Sequence, residues 1–187
     1  CGFALGIKVK NENGVVFIVT GDGAVEEGAF YESLLFLKSN ALPAVIIIEN
    51  NDWSLATKTH ERRAMIDFAK LADSLDIEFL HLKGNDPFIY QENIKLLRES
   101  AVQRRTPVLL EVKLTTLGYW HMDHSDFPDG KFINYHCGPA PEVHKKEYPL
   151  IEASENDPLY VLMQYLPTDV LVKMSNKQAI LLKEEIK

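Results

Sequence analysis

Cysteine is scarce in this sequence. Its 187 residues include two cysteines, Cys1 and Cys137. Two cysteines cannot build the disulfide framework that holds small secreted domains together, and no signal-peptide pattern is found. We therefore expect a protein of the reducing cytoplasm.

Long hydrophobic runs and basic stripes are also missing. No apolar segment approaches the about 20 residues that a membrane-spanning helix needs. The net charge is -7 and the basic residues are scattered, so they cannot neutralise the consecutive phosphates of a nucleic acid. With 46% hydrophobic and 25% charged residues, the composition is typical of a globular protein. We expect neither a membrane partner nor a nucleic-acid partner.

Short apolar segments alternate along the chain with segments of helical periodicity. The apolar segments are rich in β-branched residues, which is typical of strands buried on both faces. Regular alternation of strands and helices predicts an α/β fold, a three-layer sandwich with a central, mainly parallel sheet. The predicted strands are 15–20, 44–48, 78–82 and 108–113, and the predicted helices are 28–39, 62–75 and 87–103.

The chain is expected to comprise one α/β domain and an extension. We assign residues 1–115 to the domain and expect its amino-terminal part to lie upstream of Cys1, because residues 1–6 read as the middle of a helix of small residues. Residues 116–150 are predicted to be a long loop, since no periodicity is sustained over 118–141. Residues 151–187 are a predicted helical extension, with a helix start near Asp157 and Pro158.

Polar residues follow the first two predicted strands. Gly21-Asp22-Gly23 ends one strand and leads into a helix, and Asn50-Asn51 ends the next. The carboxyl edge of a parallel sheet is where α/β proteins bind anions, and the glycines allow close approach of a phosphate. Asp22 is compatible with a phosphate only if a cation lies between them, and Mg²⁺ with oxygen ligands fits. The alternative is a tight turn and a strand end without function.

The spacing of these two motifs resembles that of thiamine-diphosphate enzymes. The segments GDGAVEEGAFYE (residues 21–32) and LPAVIIIENNDW (residues 42–53) are most similar to alpha subunits of 2-oxo acid dehydrogenase first components, of the pyruvate, branched-chain and acetoin types. The similarity covers residues 1–115. It implies the diphosphate-binding domain of the thiamine-diphosphate-binding fold, and an enzyme for oxidative decarboxylation of a 2-oxo acid with acyl transfer.

The resemblance also implies individual roles. Asp22, the Asn51 side chain and the Trp53 backbone carbonyl match the magnesium ligands of the family. Leu55 matches an apolar wedge under the bent cofactor, although a place in the core is the alternative. Residues with an implied cofactor-binding role are Gly21, Asp22, Gly23, Ala24, Asn51, Trp53 and Leu55. Glu26, Glu27 and Glu32 are interpreted as surface carboxylates, because acids in a first helical turn commonly complement the helix dipole. Glu27 and Glu32 match the family motif and are assigned a supporting role.

The loop at 118–126 falls where the alpha subunits carry an arginine-rich loop with a Gly-His-Ser motif. His124-Ser125 matches its His-Ser, and His121 and His124 are our catalytic candidates. Trp120 replaces an arginine of that loop and Asp123 its glycine, so the substrate is not fixed by the resemblance. Zinc binding by this loop is disfavoured, because a zinc site needs three or four supported ligands.

A glutamate against the aminopyrimidine ring of the cofactor is required for thiamine catalysis. In the family it belongs to a beta-type, pyrimidine-binding subunit, and no residue here matches it. The resemblance therefore implies a chain that is inactive alone and works in a dimer or heterotetramer on a 2-oxo acid or a ketose.

Other functions remain open at the level of sequence. Residues 134–141 and 115–119 resemble segments of transketolases, so half of a split enzyme that transfers a two-carbon ketol unit is an alternative; a proline-rich linker is the simpler interpretation of residues 134–141. A purely structural subunit is a further alternative. A nucleotide-binding module is disfavoured, because the glycines lack the dinucleotide fingerprint spacing.

Overall fold

The computed structural model describes residues 1–55, 57–117, 120–125, 127–133 and 142–185, with backbone alone for 120–124 and 127–133. The chain forms two compact units, Cys1–Lys83 with Phe88–Leu114, and Gly84–Pro87 with Thr115–Lys187. The strands are β1 (Val16–Gly21), β2 (Ala44–Asn50), β3 (Trp53–Ser54), β4 (Thr57–Lys58), β5 (Glu78–Lys83), β6 (Pro107–Lys113), β7 (Trp120–His124) and β8 (Phe127–Ile133). The helices are α1 (Gly2–Val9), α2 (Gly28–Ser39), α3 (Thr59–Arg62), α4 (Phe68–Ser74), α5 (Pro87–Arg104), α6 (Pro158–Leu162) and α7 (Thr168–Glu185).

A four-stranded sheet forms the centre of the first unit. Its strand order is β1-β2-β6-β5, and every neighbouring pair is parallel. The four predicted strands are thereby confirmed. Parallel strands place their carboxyl ends at one edge of the sheet, so the segments that follow β1 and β2 leave the sheet side by side.

Helices cover both faces of this sheet. Residues of α1, α2 and α4 pack on one face, and residues of α5 pack on the other. Neighbouring residues of β2 point to opposite faces, because Val45 belongs to one cluster and Ile46 to the other. The first cluster includes Ala4, Leu34, Leu37, Ile46, Ile48, Phe68, Ala72 and Leu109, and the second includes Val45, Leu97, Ala101, Val108, Leu110 and Val112. The predicted three-layer α/β architecture is confirmed.

The second unit has its own apolar cluster. Tyr148, Leu150 and Leu171 are buried there. Asp157 caps α6 through its carboxylate, which accepts a hydrogen bond from the Leu159 N–H at 2.8 Å, and Pro158 occupies the first turn. The predicted helix start at Asp157-Pro158 is confirmed.

Two predictions of local structure were wrong. The helix expected over 62–75 is shorter, because residues 63–67 are not helical after the end of α3 and α4 begins after Asp67, whose carboxylate accepts from the Lys70 N–H. A local cap here outweighs helical periodicity. The loop expected over 118–141 contains the antiparallel pair of β7 and β8, because antiparallel pairs need no continuous apolar run.

No described helix combines the length and the apolar character that crossing a lipid bilayer requires.

Candidate functional site

Asp22 directly follows β1 and lies beside the carboxyl end of β2. Its backbone N–H donates to the carbonyl of Glu49 at 3.1 Å, which extends the ladder one residue beyond the paired strands. The residue is 2% exposed. A buried carboxylate requires compensating partners, and they come from the segment after β4.

The two carboxylate oxygens of Asp22 have different surroundings. Oδ2 accepts hydrogen bonds from Thr59 Oγ1 at 3.2 Å and from Arg62 Nη2 at 2.8 Å. Within the part of the chain that the structure describes, no donor reaches Oδ1. One oxygen of this buried acid is therefore held by the protein, and the other accepts no hydrogen bond from the described residues.

Arg62 is fixed by three acceptors. Besides Asp22, it donates through Nε to Glu26 at 3.0 Å and through Nη1 to the carbonyl of Thr57 at 2.6 Å. Burial lowers the pKa of this guanidinium, but the hydrogen bonds to Asp22 and Glu26 and the charges of these carboxylates outweigh burial and raise it. Arg63 also donates to Glu26, at 3.1 Å, and to the Asp22 carbonyl at 3.4 Å. These groups form one ionic cluster.

The loop after β2 is folded by the side chains of its own asparagines. Asn50 Oδ1 accepts from the Asp52 N–H at 3.0 Å, and Asn51 Oδ1 accepts from the Trp53 N–H at 3.1 Å. Asp52 has a φ of 65°, in the left-handed region that aspartate tolerates better than most residues. Asn50 Nδ2 donates to Glu111 Oε1 on β6 at 2.7 Å, which ties the loop to the sheet.

Gly23 is needed where the two segments meet. A Cβ at this position would lie 2.5 Å from Ser54 Oγ and 2.9 Å from Ser54 Cβ. These distances are shorter than contacts between non-bonded atoms allow, so a side chain at residue 23 would fill the space that Ser54 occupies. The bare backbone of Gly23 lets the loop after β2 lie against the loop after β1.

Leu55 is not part of the apolar core. Its side chain is 79% exposed, and its φ of 48° holds the backbone in the left-handed region. Such strain in a non-glycine residue is more frequent at functional sites than elsewhere. The core alternative for Leu55 is therefore excluded.

The two histidines proposed as catalytic candidates lie on an antiparallel strand. His121 and His124 lie on β7, and their side chains are outside the described residues, as are those of Trp120 and Asp123. Among the described residues, no group of three or more His, Cys, Asp or Glu side chains is arranged to hold a metal. A site built from one carboxylate, one amide and one carbonyl oxygen is of a different kind.

Sequence reasoning missed the partners of Asp22. Thr59, Arg62 and Arg63 carry no motif in this sequence, and Glu26 was interpreted only as a surface carboxylate. The consecutive arginines that follow a polar loop are the only sequence signal for this cluster. Their contacts with Asp22 and Glu26 join residues far apart in the chain, which no local pattern encodes.

A family model described as "Dehydrogenase E1 component" matches residues 1–134. The chain is 29% identical over 166 residues to a pyruvate dehydrogenase E1 component subunit alpha of Staphylococcus epidermidis, across 88% of this chain and 41% of the relative. It is 31% identical over 151 residues to the protein of that name in Rickettsia bellii, across 81% of this chain and 44% of the relative. The chain thus spans less than half the length of these relatives.

Among solved structures, a candidate thiamin diphosphate-dependent enzyme from Mycobacterium smegmatis aligns with 60% of this chain and 20% of its own, at 16% identity and a TM-score of 0.44.

Proposed function

Because this chain belongs to the dehydrogenase E1 component family, we propose that it is the diphosphate-binding part of a thiamine-diphosphate enzyme. The proposed reaction is oxidative decarboxylation of a 2-oxo acid with transfer of the acyl group. Relatives named pyruvate dehydrogenase E1 component subunit alpha support this class of reaction. The chain's own share is to bind and orient the cofactor.

The observation that carries this proposal is the buried carboxylate of Asp22. One of its oxygens is held by Thr59 and Arg62, and the other has no donor among the described residues. The loop with Asn51 and Trp53 follows the neighbouring strand. A carboxylate, an amide and a carbonyl provide the oxygen ligands that Mg²⁺ prefers, so the residues present fit a magnesium-diphosphate group.

The remaining site residues have simple proposed roles. From the resemblance to the family, the backbone of Gly21, Gly23 and Ala24 would hold the diphosphate. Leu55, exposed in a strained conformation, would support the thiazolium ring. When bound, thiamine diphosphate supplies the electron sink for decarboxylation. The protein supplies orientation and exclusion of water.

A partner is part of the proposal. We infer a beta-type subunit that contributes the catalytic glutamate, in a dimer or heterotetramer located in the cytoplasm. His121 and His124 on β7 remain our candidates for contact with the substrate, and their role is a proposal from the resemblance alone. A ketose in place of a 2-oxo acid would indicate the transketolase-like alternative.

The test is binding of thiamine diphosphate to the full-length protein in complex with its partner, with and without Mg²⁺. Asp22→Ala should abolish the magnesium-dependent binding. The matched control is Asp73→Ala, which removes an exposed carboxylate from α4 and should leave binding unchanged. If binding in Asp22→Ala equals that of the wild type, or if the wild type ignores Mg²⁺, the assignment of Asp22 is wrong.

Assays of the same complex with a 2-oxo acid and with a ketose donor separate the two proposed reactions. Decarboxylation of the 2-oxo acid supports the dehydrogenase. Transfer from the ketose without decarboxylation would replace it with the alternative.

A further inference from the structure

Arg62 binds the carboxylate that we propose as a metal ligand. Its Nη2 lies 2.8 Å from Asp22 Oδ2, and the Arg62 side chain is only 15% exposed. Buried ion pairs are screened by salt much less than surface pairs. The positive charge of Arg62 therefore acts on Asp22 at contact distance and at nearly full strength.

The charges of the cluster around Asp22 cancel. Asp22 and Glu26 each carry one negative charge, while Arg62 and Arg63 each carry one positive charge, and both arginines bind Glu26. Two carboxylates and two guanidinium groups sum to a formal charge of zero. A bare divalent cation that approaches Asp22 Oδ1 therefore finds no net negative charge among these four groups. Asp52, which accepts from the Thr59 N–H at 3.3 Å, is a further carboxylate beside them and is unchanged in every variant proposed below.

Arg62 cannot readily leave when a cation arrives. Its three guanidinium nitrogens bind three separate acceptors, the carboxylates of Asp22 and Glu26 in the segment after β1 and the carbonyl of Thr57. Release would leave all three acceptors without this donor. Arg62 is thus a fixed positive charge that leaves a single oxygen of Asp22 for the cation.

We propose that Arg62 makes retention of a divalent cation at Asp22 dependent on the diphosphate. This inference rests on the proposed function. Affinity for a hard cation depends on the number of charged ligands, and Arg62 cancels the charge of the one carboxylate here, leaving the neutral oxygens of Asn51 and Trp53. The diphosphate, when bound, adds the negative charge that Arg62 cancels at Asp22. Arg62 acts through Asp22 and is therefore a positioning residue.

The experiment measures binding of Mn²⁺ to the full-length complex by electron paramagnetic resonance of the free ion, with and without thiamine diphosphate. The wild type should bind Mn²⁺ weakly alone and much more tightly with the cofactor. Arg62→Gln keeps a hydrogen-bond donor and removes the charge, so it should tighten binding of Mn²⁺ alone by about tenfold. The dependence of Mn²⁺ binding on the diphosphate should shrink by the same factor.

Three variants serve as controls. Arg63→Gln makes the same change of charge but does not touch the Asp22 carboxylate, and Arg62→Lys keeps the charge at residue 62. Arg62→Lys should bind Mn²⁺ alone within about twofold of the wild type, and Arg63→Gln should gain clearly less affinity than Arg62→Gln, because Arg63 makes no hydrogen bond to the Asp22 carboxylate. In Asp22→Ala/Arg62→Gln the gained affinity should disappear, which shows that the ion occupies the Asp22 site.

A gain of affinity is informative because a merely structural role would produce a loss. Unchanged or weaker binding of Mn²⁺ alone in Arg62→Gln would overturn the inference, as would an equal gain in Arg63→Gln or Arg62→Lys. Should Arg62→Gln fail to fold, the affinity of Arg62→Lys for Mn²⁺ alone decides. An affinity different from the wild type would overturn the inference, and an unchanged affinity would support it. Failure of the wild type to bind Mn²⁺ with the cofactor would overturn the proposed function itself, and no other result of this experiment does so.

Discussion

Gly23 is the residue at which the two site loops come closest. Its backbone is right-handed helical, so alanine meets no conformational barrier, but its Cβ would lie 2.5 Å from Ser54 Oγ. We predict that Gly23→Ala lowers the free energy of unfolding by about 1–3 kcal/mol, as overpacking does, and weakens binding of thiamine diphosphate. Denaturant unfolding and a cofactor titration measure the two effects.

Two controls test whether the contact with Ser54 causes these effects. Gly28→Ala places a methyl group where the described residues leave open space within 4 Å. It should leave cofactor binding unchanged and be neutral or slightly stabilising in unfolding, because alanine is the better helix former. Gly23→Ala/Ser54→Gly removes both atoms of the clash and should recover much of the lost affinity. If the double variant binds no better than Gly23→Ala, the packing explanation is wrong.

Glu111 is the residue that ties the loop after β2 to the sheet. It accepts from Asn50 Nδ2 at 2.7 Å and lies 3.5 Å from His81 Nδ1. Loss of groups that orient metal ligands commonly costs about 10- to 100-fold in metal affinity. Glu111 binds Asn50, the neighbour of the proposed ligand Asn51, so Glu111→Ala should weaken Mn²⁺ binding with the cofactor by up to about 10-fold. His81→Ala removes the other contact of the same carboxylate and should have little effect. Equal losses in both variants would contradict this role of Glu111.

At the level of elements, Asp157 joins the start of α6 to the segment before it. Its carboxylate is 1% exposed and accepts from the N–H groups of Ile151, Glu152 and Leu159, at 2.8, 3.0 and 2.8 Å. Asp157→Ala leaves three donors without this acceptor. We expect a loss of about 3 kcal/mol in the unfolding of the second unit, measured by denaturant titration.

Asp67, the exposed N-cap of α4, provides a comparison for the loss of stability in Asp157→Ala. Asp67 accepts from the Lys70 N–H, which holds the pKa of this carboxyl below its usual 3.8. Because the folded pKa is lowered, the cap stabilises fully above the unfolded value and its contribution is lost as pH falls through the lowered value. Asp67→Ala should therefore destabilise less than Asp157→Ala at neutral pH, and its effect should vanish in acid. A larger effect for Asp67→Ala would contradict the burial argument.

The strands were predictable from sequence, whereas one helix boundary and one hairpin were not. Residues 44–48 and 108–110 are continuous apolar runs, and burial on both faces of a parallel sheet favours that composition. The break between α3 and α4 depends on Asp67 as a cap and follows the end of α3 at Arg62, which is bound to Asp22 from a distant segment. Periodicity over 62–75 reports neither interaction. The pair β7 and β8 has a polar, proline-containing sequence that resembles a loop.

The sequence predicts the candidate site only where its residues lie at the ends of predicted strands. Asp22 and Asn51 follow from strand ends with polar residues, because the topology of a parallel sheet brings such ends together. Thr59, Arg62 and Glu111 are contacts between side chains of different elements. These contacts depend on packing, and a single sequence does not specify them.

For the whole molecule, the apolar clusters determine which part of the chain the cofactor stabilises. The cluster of Tyr148, Leu150 and Leu171 shares no residue with the two clusters on the central sheet. A ligand stabilises the part that binds it, by about 2.7 kcal/mol at 100 times its dissociation constant. Stabilisation by magnesium and thiamine diphosphate should therefore appear in the first unit and leave the core of the second unchanged.

Hydrogen exchange of the full-length complex measures this distribution, because local protection reports local stability. We expect the cofactor to slow exchange in peptides that cover Asp22 and residues 50–54, and to leave peptides around Leu171 unchanged. Asp22→Ala should remove the protection without changing exchange near Leu171. Equal protection of both regions would mean that the two units unfold together, and protection that survives in Asp22→Ala would mean that the cofactor binds elsewhere. The pattern across the chain thus tests the proposed site independently of catalysis.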